Sequence, residues 1–535
     1  MANRHAPFYP IIYVRGYAMT PDEIDETSAD PFCGFNLGST VYRAVPERDR
    51  QPRKYIFESP VIRLASEFNY EDVYEDGYDI LDPEWSDDKS NKLTSRSIVI
   101  YRYYDEASRL LGIGETPSIE VFSQKLGDLI LKVRDLVCAN PANKIEVKDF
   151  RCYLVAHSMG GLVCRGLLHN TKNDVHNARQ YVDKFFTYAT PHNGIDMLGI
   201  NIPSWLSKDD MNNFNRNRMA KYLGLEDAYK ETNSVAWIPE EQFSSERVFT
   251  MVGTNRLDYE AAMGVSRTFA GHGSDGLVRI GNATLKGIKT DGSVGQSCAK
   301  AFTYRAHSGF FGIVNSEESY QNLTRFLFGD VRVDIWAEIE EVRLPKKVQE
   351  AVDKGGKVNA LYQIEVLAAP RGKLWQLTRR RAEEDSVACI PQKELLDINN
   401  KPVKEYLSSV FLAKRERVNK RRPSLACNLD LGIRVPDYEI DRKLWIDDHF
   451  EGGYLFRNSI AIELIPPTVK KAEWRIKYCW QNLGCSQADI KIDAHSLDEE
   501  KVEVIIPFDS ATTPGATGKL RFVISGWNKG ASMKN

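Results

Sequence analysis

The chain has 535 residues, with 71 Lys plus Arg against 74 Asp plus Glu, a formal charge of -3 and 42% hydrophobic residues. These values are ordinary for globular proteins and exclude a disordered chain, a collagen and a coiled coil. The length predicts two or more domains, no apolar run of membrane-spanning length occurs, and the balanced charge gives no case for nucleic acid.

The total hides an asymmetry. Residues 331–535 carry 34 basic and 30 acidic residues, and residues 1–330 carry 37 and 44. The nine cysteines are scattered with no CxxC, which argues against a disulfide framework or a zinc site. Met1 to Pro10 lacks the apolar stretch of a secretory signal. A cytoplasmic location at synthesis is therefore expected, with signal-independent export compatible with the same sequence.

In chain order, Ile11–Val14 reads as a buried strand ending at Gly16, and Ile98–Tyr101 as a second. Residues 118–137 read as a helix with Ile119, Phe122, Leu126, Leu129, Ile130, Val133 and Val137 on one face, preceded by Thr116-Pro117 as a start signal. Cys152–Ala156, Phe185–Tyr188 and Val248–Val252 are three further strands. Buried apolar strands alternating with helices predict a mostly parallel sheet covered on both faces. Two stretches interrupt the rhythm: residues 20–95, acidic and aromatic, and residues 195–245, polar and irregular. Excursions of this length are lids, binding loops or solvated decoration.

Ala156-His157-Ser158-Met159-Gly160-Gly161 follows one strand and precedes the apolar stretch Leu162–Leu168. This is the strand–turn–helix setting of a nucleophile elbow. A serine on so tight a turn stands clear of the backbone, and small residues at 156 and 160 avoid a clash inside it. The N–H groups at the start of the following helix favour an oxyanion.

With that motif the chain resembles the α/β-hydrolase family, and within it the bacterial lipases and esterases. Further segments carry the resemblance in the family's order: Tyr9–Tyr17, Thr190-Pro191-His192-Asn193-Gly194, Ser274-Asp275-Gly276-Leu277-Val278 and Ala306-His307-Ser308. It covers about residues 8–329. It implies Ser158 as nucleophile, His307 as base and Asp275 as the acid that orients it, in the order Ser, Asp, His. It implies the backbone N–H groups of Tyr17 and Met159 as oxyanion donors, and no metal or organic cofactor. Asp258, just past the fifth strand, is the rival acid. His157 reads as a packing residue of the elbow and His192 as a satisfied loop histidine, while His272 is too near Asp275 to serve as its partner. Where lipases usually have His-Gly, this chain has Arg15-Gly16. Arg15 reads as a structural salt-bridge residue or as a contact to an anionic head group such as phosphate.

From Val331 the period becomes two. Residues 331–339, 361–367, 374–377, 456–464, 474–480, 501–506 and 520–524 read as strands, which predicts a β-sandwich of about eight strands. Phe326–Asp330 marks the expected boundary between a catalytic domain, 1–330, and a β-sandwich-like accessory domain, 331–535. The run Lys414 to Arg422 holds six cations in nine positions. It reads as a solvated loop or as a contact with anionic lipid. The expected activity is hydrolysis of carboxylic esters, of lipid or phospholipid acyl type, through an acyl-enzyme. An amidase or thioesterase would use the same triad, and a non-catalytic hydrolase-fold binding protein is the reading from another class.

Overall fold

A computed structural model describes residues 8–16, 39–44, 52–57, 59–73, 80, 93–101, 103, 118–197, 200–201, 213–258, 273–309, 311–441, 448–467, 473–481, 490–492, 495–496 and 501–528. The chain divides into two compact units. One is Pro7–Lys300 with Tyr304–Leu323, and the other is built mainly from Thr324–Asn535 with Ala301–Thr303.

A seven-stranded sheet organises the first unit, and the last three residues of its final strand are those assigned to the second. Its strands in chain order are β1 (Ile11–Val14), β2 (Glu71–Asp72), β3 (Ser97–Tyr101), β4 (Cys152–His157), β5 (Val182–Tyr188), β6 (Val248–Gly253) and β7 (Ala299–Thr303). In space they run β7-β6-β5-β4-β1-β3-β2. The pairs β1–β3, β1–β4, β4–β5, β5–β6 and β2–β3 are all parallel. The four residues of β1 and the five of β3 are wholly buried, as strands covered on both faces must be. From β1 the chain goes out to β2 at the edge, returns through β3, and crosses β1 to reach β4. The carboxyl end of β4 thus opens beside the point where the strand order reverses, the usual place for a site in such sheets. This order of strands, with helices between them, is the α/β-hydrolase fold.

Two helices matter for the site. Helix α2 (Ile119–Ala139) buries the seven apolar positions expected from its period. It begins at Ser118, and the expected Thr116-Pro117 start lies outside the described residues. Helix α3 (Gly160–His169) is buried at every residue. The two pack closely: a Cβ added at Gly166 would stand 2.3 Å from Ser123 Oγ, and that hydroxyl donates to Val163 O at 2.9 Å. Helix α1 (Pro60–Phe68) is capped by Ser59, whose Oγ accepts from Ile62 N–H at 3.1 Å.

Both expected excursions carry more structure than the sequence suggests. The 20–95 stretch contributes α1 and the edge strand β2, and Ser39–Ala44 pairs antiparallel with Pro52–Phe57. Within 195–245 lie the helices Arg216–Leu223 and Glu226–Thr232 and the strand Trp237–Pro239. Trp205 lies outside the described residues.

The second unit is β-rich and antiparallel. A five-stranded sheet contains β8 (Val331–Arg343), β10 (Glu405–Leu412), β14 (Lys501–Asp509) and β15 (Gly515–Gly526). A seven-stranded sheet is centred on β9 (Lys357–Pro370), β11 (Leu425–Asp441), β12 (Asp448–Ile465) and β13 (Arg475–Trp480). Alternate residues of both sheets enter one core, for instance Val333, Ile335, Leu520 and Phe522 with Ile364, Leu429, Ile460 and Leu464. Strands exceed the eight expected, and one expected strand is absent. Residues 374–377 form a bend, with Leu374 84% exposed, and the strand starts at Thr378. Gly372, at φ 79°, turns the chain just before it.

Two residues separate helix α4 (Glu317–Phe328) from the start of β8. The division between the units falls inside this helix, at Thr324. No described helix is long and apolar enough to cross a membrane. The seven described cysteines, among them Cys152 and Cys164, form no disulfide.

Candidate active site

The elbow is a forced conformation. Ser158 sits at φ 51°, a left-handed value that costs a non-glycine residue about 1–3 kcal/mol. Its N–H donates to Tyr188 O at 2.9 Å and its C=O accepts from Gly161 N–H at 3.1 Å, so β5 on one side and α3 on the other hold the turn. Small neighbours are needed for space. A Cβ at Gly160 would lie 2.3 Å from the carbonyl oxygens of both Val14 and Arg15. At Gly16 it would lie 2.8 Å from Ser158 Cβ, and at Gly161 it would lie 2.2 Å from Thr190 Oγ1. Ala156 is fully buried in β4. Backbone and side chains from β1, the elbow and the Thr190–Gly194 loop therefore meet with no room for another methyl group.

Three predicted residues come together at this turn. His307 Nε2 lies 2.8 Å from Ser158 Oγ, and His307 Nδ1 lies 2.9 Å from Asp275 Oδ2. Asp275 Oδ1 accepts from the N–H groups of Leu277 at 3.0 Å and Val278 at 2.8 Å. The carboxylate is thus fixed at both oxygens. The His307 N–H also donates to the Asp275 carbonyl at 2.9 Å. All three residues are buried. A carboxylate only accepts, so Asp275 places the imidazole proton on Nδ1 and leaves the Nε2 lone pair facing the serine hydroxyl. The sheet supplies the spacing: Ser158 follows β4, and Asp275 lies beyond β6, where a Cβ on Gly253 would approach Asp275 Cβ to 2.8 Å.

The rival acid is not in this chain of bonds. Asp258 Oδ2 accepts from Asn255 Nδ2. His192 is fully buried with Nε2 3.0 Å from Thr187 Oγ1. Burial, and then Arg165, hold its pKa well below the ordinary range. His157 does more than pack: its Nε2 lies 2.8 Å from His307 O, and its ring is 5.1 Å from the His307 ring. Burial, and then the neighbouring His307, lower its pKa to about 3. It is therefore neutral, and with a carbonyl as partner Nε2 carries the proton and donates. Tyr17 and His272 lie outside the described residues. Met159 is the N-cap of α3, in helical conformation, next to the serine. Arg15 is buried, with Nε donating to Gly16 O at 3.2 Å, and its own carbonyl accepts from Tyr103 Oη at 3.1 Å.

One structural residue was not singled out by sequence. Arg165, on α3, is fully buried and has no carboxylate partner among the described residues. It donates to His192 O at 2.7 Å, Val235 O at 2.6 Å and Trp237 O at 2.9 Å. Burial lowers its pKa to about 10, so it stays charged at neutral pH. One guanidinium thereby ties the loop after β5 to the 195–245 excursion. The available signal was a lone cation inside the apolar run Leu162–Leu168. As for metals, one group of ligating residues among those described could hold a cation. It is Asp437, Glu439 and His449, on β11 and β12 of the β-rich unit.

No protein-family model matches the sequence, and no curated protein matches it. Among solved structures the chain is similar to the mature form of the lipase BlEst2 from Bacillus licheniformis. Identity is 13% over 60% of this chain and 93% of that one, with a TM-score of 0.29. It is also similar to phospholipase PlaB from Legionella pneumophila, with 13% identity over 83% of this chain and 90% of that one, and a TM-score of 0.28. Likenesses of this size leave the fold resting on its strand order and the site on its own geometry.

Proposed function

We propose that the protein is a serine hydrolase of carboxylic esters, acting on lipid or phospholipid acyl esters through an acyl-enzyme. The observation that carries this reading is the continuous hydrogen-bonded chain from Ser158 Oγ through His307 to Asp275, with the serine held at positive φ on a strand–helix turn. Ser158 attacks the ester carbonyl while His307 Nε2 takes its proton. Asp275 stabilises the imidazolium that forms and keeps its orientation. The negative oxygen of the tetrahedral intermediate is met by the N–H of Met159 at the start of α3, with Tyr17 N–H as the second donor. His307 then protonates the leaving alcohol, and water repeats the sequence to release the acid.

The preference for lipid acyl esters rests on the excursions 20–95 and 195–245, whose length suits a lid, and on the family resemblance. It is tested by incubating wild type and Ser158→Ala with a total lipid extract and profiling the products by mass. Fatty acids and lysolipids released only by wild type are expected. Unchanged lipids in both samples would redirect the search to small soluble esters.

A further inference from the structure

The β-rich unit contains a concave site of its own, built around the cationic run. Residues 414–422 form a closed loop between β10 and β11: Arg417 Nε donates to Lys414 O, and its Nη1 to Arg422 O, both at 2.8 Å. Beside it lies the turn after β9, where a Cβ on Gly372 would stand 3.2 Å from a Val418 methyl. The loop, this turn and the last turn of α4 enclose a cavity of about 320 Å³. Four guanidinium residues line it, Arg325, Arg371, Arg417 and Arg422, over an apolar floor that includes Leu412, Leu425 and Ala426.

Two carboxylates, Glu416 and Glu463, also line the cavity. Glu416 lies 3.2 Å from Arg415 Nε, and Glu463 is the cross-strand neighbour of Lys477. Among the described residues no carboxylate lies within ion-pair distance of Arg371, Arg417 or Arg422, so the lining carries an excess of positive charge. Guanidinium forks match the oxygens of a phosphate, and Arg371 and Arg422, which line the cavity without an ion-pair partner among the described residues, are the two open to such an anion.

The rim decides the source of the phosphate. Leu374 is 84% exposed and Val418 71% exposed, on the two segments that meet at Gly372. Lys373, Lys420 and Arg421 stand in the same segments. Large exposed aliphatics among cations fit an interface where the aliphatics enter the acyl boundary and the cations take the head groups. A soluble phosphate compound would leave Leu374 and Val418 in water.

We propose that this cavity binds the phosphate head group of an anionic lipid and docks the β-rich unit on a membrane surface. Binding does not require Ser158 chemistry, so the full chain carrying Ser158→Ala is used, which keeps a failure here separate from a failure of the hydrolase reading. Sedimentation is measured with vesicles of phosphatidylcholine alone and of phosphatidylcholine mixed with phosphatidic acid. Preferential binding to the mixed vesicles is expected. Adding Arg371→Gln and Arg422→Gln should weaken it roughly thirtyfold, since each cation at a lipid surface is worth a factor of about five. Leu374→Ser with Val418→Ser should weaken it about tenfold or more through the lost aliphatic insertion.

Circular dichroism checks that each variant stays folded, and the charge-matched double change Lys393→Gln, Lys401→Gln should leave binding within about twofold. An equal loss in that control pair would overturn the proposal, as would equal binding to both kinds of vesicle. Inorganic phosphate binding that needs Arg371 and Arg422, with no vesicle binding, would assign the cavity to a soluble ligand and overturn the lipid reading.

Discussion

Asp275→Asn isolates the acid's part in the chemistry with little change in shape. Asp275 Oδ1 accepts two backbone N–H bonds, from Leu277 and Val278, while Oδ2 faces His307 Nδ1. In asparagine the carbonyl oxygen must keep the Oδ1 place, because reversing the amide would aim its NH2 at two buried N–H groups and lose two hydrogen bonds, about 3 kcal/mol. The NH2 then faces His307 Nδ1 and forces the proton onto Nε2. That nitrogen now donates toward Ser158 Oγ and cannot accept its proton. The same change in a Ser-His-Asp protease lowers kcat by roughly 10⁴, about 5.4 kcal/mol of barrier, and a loss of that size is expected here. The assay is kcat on a short-chain p-nitrophenyl ester, with urea unfolding to show that the variant remains folded. Asp258→Asn serves as the comparison and should change kcat less than about twofold, since Asp258 bonds only to Asn255 in the described structure. A folded Asp275→Asn variant retaining activity within about tenfold of wild type would refute this account of the acid.

Gly160→Ala must push β1 and the elbow apart, because its Cβ would fall 2.3 Å from two backbone oxygens; a displacement near 1 Å predicts roughly a 10²-fold loss of kcat, checked beside the urea midpoint. His192 is fully buried and its pKa is lowered well below the ordinary value of about 6.5, chiefly by burial. The unfolded chain therefore takes up the proton first, so the stability this group protects is complete above about pH 6.5 and falls by about 1.4 kcal/mol per unit below it. Urea midpoints across that window should fall less steeply for His192→Gln than for wild type. Arg165→Met would strip the charged donor from the carbonyls of His192, Val235 and Trp237, at a cost of roughly 3 kcal/mol, read as a lower urea midpoint. If Arg15 meets an anionic head group, Arg15→Ala should reduce kcat/KM more on phosphate-bearing esters than on neutral ones; equal losses would leave it a purely structural residue, bonded to Gly16 O.

The parts of the fold legible in sequence were those with a strong local signal. The buried strands β1 and β3 to β6 are short apolar runs, and α2 shows seven apolar positions at helical spacing. The elbow is legible because its turn tolerates few residue types. The edge strand β2 was not legible, being two exposed acidic residues that pair with β3 only once the sheet exists. Leu374–Leu377 looked like a strand by composition, but Gly372 and the exposed Leu374 make it a bend. β11 is not legible as one strand because Pro436 interrupts its 17 residues, yet the strand runs through it. Within the site, Ser158, Asp275 and His307 could be named from motif and order. The bond from His157 to the His307 carbonyl and the three-way tie of Arg165 depend on which loops meet in space. No spacing in the chain encodes those meetings.

The central claim is that Ser158 is a nucleophile activated by His307 and Asp275. An active-site fluorophosphonate probe, followed by mass mapping of the adduct, tests it most directly. The account predicts a single adduct on the Ser158 peptide in folded wild type, strongly slowed in Asp275→Asn and absent after Ser158→Ala. A folded wild-type protein that stays unlabelled, or one labelled on another serine, would contradict it.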